Sequence, residues 1–189
     1  MGCTPSINER DFQTPVDDKH LLDDRQKRIV RKTWRPLAND MTENGQKIFI
    51  NIFESHPEIK YMFPTRDIEG RDNLSANPHF RMHSSRFMQS VGAAIDNLND
   101  LDNALRPLLV KLAKTHVRFK GFKPDYFDAF EEAMLSVWQE ELGQRFTTEV
   151  EESWKLLFFY IKDCLKEGYD IAMNEKTSGE LNNSDFINQ

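Results

Sequence analysis

From Leu105 to His116 the leucines are Leu105, Leu108, Leu109 and Leu112, with His116 closing the series. The spacing of i, i+3, i+4, i+7 and i+11 draws one stripe along a 3.6-residue helix, with an imidazole as its last member. Lys120-Gly121-Phe122-Lys123-Pro124 then ends the helix with a glycine and a proline. Upstream, Asn77-Pro78 supplies a cap and first-turn pair, and Phe80, His83, Phe87, Val91, Ala94, Ile95 and Leu98 share one face of the helix that follows. One histidine on an apolar stripe is more often a core or boundary residue than a ligand. Two of them on separate helices change the reading, because neutral imidazoles facing across a gap suit a planar cofactor whose iron takes axial ligands from both sides. His79 lies off the stripe, in the first turn, and reads as solvated.

The same periodicity runs through most of the chain. Asp23 with Gln26 forms a capping pair ahead of Ile29, Val30, Trp34, Leu37 and Met41. Thr42 opens a second helix with Ile48, Phe49, Ile52 and Phe53 inward. Pro57 restarts the chain as a short turn through Tyr61, Met62 and Phe63, and residues 64–76 read as a polar loop around Gly70. Pro124 begins a helix with Phe127, Phe130, Met134, Val137 and Trp138 on its buried side, and Thr148 with Glu151 caps the last one, carrying Val150, Trp154, Leu157, Phe158, Ile161 and Leu165. No strand alternation, repeat or glycine-rich phosphate loop appears. The expected architecture is all-α, with residues 1–22 a flexible N-terminal segment, 23–170 one helical domain, and 171–189 a disordered polar tail.

Composition narrows the function. The 189 residues carry 25 basic and 31 acidic side chains, a net charge of −6 that argues against nucleic acid and against a polybasic membrane surface. Cys3 and Cys164 stand at opposite ends of the sequence, which suits a reducing compartment rather than a disulfide framework. No apolar run approaches the length of a membrane span. Met1-Gly2-Cys3-Thr4-Pro5-Ser6, however, fits the pattern that directs myristoylation of Gly2. A single myristoyl chain holds a membrane only marginally, and palmitoylation of Cys3 would supply the second anchor. The expected location is then the cytoplasmic face of the plasma membrane, with an acidic tether that lets the domain stand off an anionic surface; without acylation it is the cytoplasm.

These residues resemble the globin family. Gly45-Gln46 with Ile48-Phe49-Ile50-Asn51-Ile52-Phe53-Glu54-Ser55-His56-Pro57 is similar to the second globin helix and its proline turn. Phe63 falls where the family packs a phenylalanine on the haem, His83 matches the distal histidine, and His116 the proximal one. Trp34 and Trp154 sit where the first and last helices carry core aromatics. The acylation pattern resembles the membrane-associated globin X lineage, and the histidine spacing that of neuroglobin-like proteins. The resemblance implies a single globin domain of six to eight helices around haem b (iron protoporphyrin IX).

It also implies roles. His116 would bind the iron, its other N–H directed to a backbone carbonyl or hydroxyl of its own helix, and His83 would either take the sixth position at rest or hydrogen-bond bound O₂. Leu112, Phe122 and Phe127 would line the haem site; Arg86 would reach a propionate or stand solvated. Phe87 departs from the smaller branched residue usual there and should crowd the distal side. Phe49 replaces the tyrosine common in globins specialised for nitric oxide dioxygenation. Two functions follow: reversible binding of O₂, CO or NO for storage, delivery or sensing, or membrane-associated redox work such as electron transfer, nitrite reduction or peroxide scavenging with an unidentified reductase.

Overall fold

Asp23 accepts a hydrogen bond from the Gln26 backbone N–H at 2.8 Å while the Gln26 side chain accepts from the Asp23 N–H, closing the capping box that starts α1, Asp24–Leu37. The computed structural model describes residues 21–187, with side-chain environments through Ser178. Gly2 and Cys3 lie outside the described residues. Leu22, counted with the tether above, is buried at 2% exposure and belongs to the core. Asp40, not Thr42, caps the second helix by accepting from Glu43, so Met41 opens α2, Met41–Ser55.

Pro57 then starts the short α3, Pro57–Lys60, and Gly70 at φ 84° leads into α4, Arg71–Ala76. A polar loop was expected at α4. Leu74 is buried there, and the Gln46 amide donates to the Ser75 carbonyl at 2.8 Å, which ties this turn to α2. Asn77 accepts from the N–H groups of His79 and Phe80 to cap α5, Pro78–Asp96. A π-helical turn, Leu101–Leu105, precedes α6, Arg106–His116, and α7 spans Tyr126–Leu142.

The last helix, α8, spans Thr148–Ile187, and its cap is Thr147, which accepts from Val150, rather than Thr148. It does not stop near residue 170. Residues 173–178 continue it with exposed side chains, and Lys114 pairs with Glu175 at 2.6 Å beside the end of α6. Polar residues without a proline sustain a solvated helix as well as a loop, and composition alone does not separate the two. No strand occurs among the described residues.

Three tryptophans mark the centre of the core. Trp34, Trp138 and Trp154 meet at centroid separations of 5.5 to 6.4 Å, and the Trp154 indole N–H donates to Thr33 Oγ1 at 3.0 Å, joining α1 to α8. The two histidine-bearing helices are placed by glycines. A Cβ added at Gly45 of α2 would lie 2.5 Å from the Ser84 carbonyl oxygen of α5, and one at Gly168 of α8 would lie 2.6 Å from the Val110 carbonyl oxygen of α6. Hydrogen side chains allow backbone contact where any other residue would push the helices apart.

The α5 core face differs from the stripe read in the sequence. Phe80, Ser84, Met88, Val91 and Ile95 are buried, whereas His83 and Phe87 turn toward a neighbouring space. In α6 the buried line is Leu109 and Ala113, continuing Leu105 of the preceding turn; Leu108 is 53% exposed and lies off it. Replacing Gly45 or Gly168 with Ala should cost about 1–3 kcal/mol each through overpacking, read as a lower urea midpoint of the full chain. An unchanged midpoint for both would show that these crossings have slack.

Candidate functional site

The space beside α5 and α6 is one cavity of about 260 Å³. Its wall includes Phe49 of α2; His83, Phe87 and Val91 of α5; Leu109, Leu112 and His116 of α6; and side chains of α7 and α8. The sequence pattern placed the two imidazoles on different helices, and the fold brings both to the same void.

Each imidazole is held by aromatic rings. His83 meets Phe49 at 4.9 Å and Phe63 at 5.1 Å, both edge-on. His116 meets Phe122 at 4.9 Å and Phe127 at 5.5 Å. Phe63 and Phe122 therefore act by fixing ring orientation, while Phe127 also reaches the cavity wall. Burial lowers the pKa of both histidines below the usual value; at His83 the proximity of His116 and Arg86 lowers it further, and at His116 the Leu112 hydrogen bond opposes the shift. The rings stay accessible at the cavity while protein surrounds them elsewhere. Neutral imidazoles keep a lone pair available near neutral pH.

His116 Nδ1 lies 3.0 Å from the Leu112 carbonyl oxygen on its own helix. A carbonyl accepts only, so Nδ1 carries the proton and donates, leaving the Nε2 lone pair free. This is the backbone partner expected for the second nitrogen. Leu112 is one turn back on α6, and its carbonyl also accepts from Thr115 Oγ1 at 2.6 Å.

Phe87 lies in the cavity wall, packed on Phe49 and Phe130 at 5.3 Å each. Arg86 lines the mouth with an exposed side chain, as does Ser90. His79 is exposed and apart from the cavity.

Several wall residues were read in the sequence as plain core: Phe130, Met134, Phe158, Ile161 and Leu165. Glu131 and Lys162 were not singled out at all, yet both line the cavity and pair with each other, and Lys162 also meets Asp128 at 3.0 Å. Their signal was present. Glu131 is i+4 from Phe127 and Lys162 is i+4 from Phe158, opposite charges on two apolar stripes that face each other.

A sequence model described as Globin matches residues 46–165, more than half of the chain. The chain belongs to the globin family. This globin is 28% identical over 137 residues to cytoglobin-2 of Danio rerio, covering 72% of this chain and 76% of that one. It is 26% identical over 149 residues to the neuroglobin of Tetraodon nigroviridis, covering 78% and 92%. In fold it resembles a solved structure described as a hexacoordinated heme protein from an anhydrobiotic tardigrade, with a TM-score of 0.74 and 21% identity over 79% of this chain and 96% of that one.

Proposed function

We propose that this globin holds haem b between α5 and α6, with His116 as proximal and His83 as distal ligand, and binds small diatomic gases there. The observation that supports it is the donor set: two neutral imidazoles share one apolar cavity, and the free Nε2 of His116 is oriented by the Leu112 carbonyl. The residues suit the group, since iron in haem accepts imidazole nitrogen and the macrocycle asks for an apolar wall. When bound, haem supplies an iron that takes O₂, CO or NO reversibly.

The chain's own residues do the rest. His116 would hold the iron through Nε2, its hydrogen bond to the Leu112 carbonyl raising the basicity of that nitrogen. His83 would supply a second imidazole nitrogen to the iron at rest and give way to a ligand, a reading supported by the description of the tardigrade neighbour in fold as hexacoordinated. Phe49 and Phe87 exclude water from the distal side, which protects a bound gas from protons. Arg86 would meet a propionate, a reading supported by its exposed position on the cavity lining. With Phe49 in place of tyrosine, the distal side lacks the hydroxyl that often accompanies nitric oxide dioxygenation, which favours ligand binding over that activity.

His116→Ala should leave the protein mostly haem-free or haem-labile, measured as haem per chain after purification. His83→Leu should keep haem but turn the resting iron five-coordinate and speed carbon monoxide association. Normal haem content in the first variant, or an unaltered resting state in the second, would remove the corresponding assignment.

We also infer that Gly2 and Cys3 carry myristoyl and palmitoyl chains, which hold the protein on the cytoplasmic leaflet. Two chains are needed because each buried methylene contributes about 0.8 kcal/mol and one chain gives only reversible contact. In cell fractionation the intact chain should pellet with membranes, Gly2→Ala should be soluble, and Cys3→Ser should divide between fractions. Identical partition of all three would make the motif a coincidence.

A further inference from the structure

Between Asp102 and Asp125 the chain holds no acidic residue and carries Arg106, Lys111, Lys114, Arg118, Lys120 and Lys123. In a chain of net charge −6 this is a local reversal of sign. Two of the six are answered by acids from α8, Arg106 by Glu167 and Lys114 by Glu175, each at 2.6 Å. Lys111, Arg118, Lys120 and Lys123 are exposed and make no ion pair among the described residues. Asp125 marks the margin of the patch.

Helical spacing gathers these charges. Lys111 and Lys114 stand at i and i+3, on the side of α6 away from Leu109, and Arg118, Lys120 and Lys123 follow in the turn and loop beyond His116. Two large apolar side chains are exposed along the same stretch. Leu108 is 53% exposed beside Lys111, and Phe119 is 54% exposed between Arg118 and Lys120. Neither belongs to the core, whose α6 members are Leu109 and Ala113.

We propose that the outer face of α6, with the loop from Val117 to Lys123, docks on the anionic surface of a lipid bilayer. Phe119 and Leu108 enter the boundary between headgroups and acyl chains, and the four free cations meet lipid phosphates and carboxylates. The surface is a convex helix with isolated apolar side chains set among cations, the pattern of an interfacial helix rather than of a groove for a protein segment. Its charge reverses the stand-off expected from the acidic tether: the domain lies down on this face. Phe119 also packs on His116 at 6.2 Å, so the docked face is one ring away from the cavity. The inference depends neither on haem ligation nor on acylation at Gly2 and Cys3.

The test uses the full chain produced without acylation and large vesicles of phosphatidylcholine, with or without a third of the lipid replaced by phosphatidylserine. Sedimentation should occur with the anionic vesicles alone and fade as salt is raised. Each removed cation should lower partition by about five-fold, so Lys120→Gln with Lys123→Gln should lower it by about 25-fold. Phe119→Ala should lower it further. Arg28→Gln with Lys32→Gln, on exposed positions of α1, should leave it unchanged, and circular dichroism should show all variants equally helical. Absence of phosphatidylserine-dependent sedimentation, or equal loss in the α1 control, would overturn the proposal. Retention on polyglutamate beads without binding to either vesicle would assign the face to an acidic protein and overturn it equally.

Discussion

Two backbone contacts, at Gly45 and Gly168, set where the histidine-bearing helices lie. Gly45 lets α2 touch α5 at Ser84, the residue next to His83, and Gly168 lets α8 touch α6 at Val110, less than two turns before His116. A side chain at either point would move its helix outward and change the gap between the imidazoles. The cavity is thus a property of the scaffold, held by crossings that tolerate no Cβ, and the tryptophan cluster fixes the rest of the frame behind it. Such preorganisation matters for a two-sided ligand site, because the cost of ordering the donors is met during folding.

Within that frame, aromatic packing does two jobs. It orients the rings by edge contacts, and it lowers the dielectric around them, which keeps the imidazoles neutral. The Leu112 carbonyl then selects which nitrogen of His116 is free. The Glu131–Lys162 pair shows the same wall from the other side: charges at a cavity edge are stable when each has a partner, and Lys162 has Asp128 as well.

Much of this was legible in the sequence because helix periodicity is a local signal. The caps at Asp23 and Asn77, the placing of each histidine on its own helix and the inward faces of α7 and α8 follow from residue spacing, and the globin resemblance gathered them into one fold. What escaped depends on how helices pack. Leu108 completes the leucine stripe by spacing, but α8 approaches α6 at Val110 and Ala113, and Leu108 is left exposed. Ser84 and Met88 look incidental until Gly45 brings α2 onto them. The short α4 depends on a tertiary hydrogen bond from Gln46. The basic face of α6 vanished in the net charge, since an average over the chain carries no position.

The account rests on both imidazoles binding the same iron, and absorption spectra of the purified protein, ferric and ferrous with no ligand added, address this most directly. Split visible bands of low-spin, six-coordinate iron in both states are the result it predicts. A haem-free preparation, or high-spin spectra in both states, would contradict it.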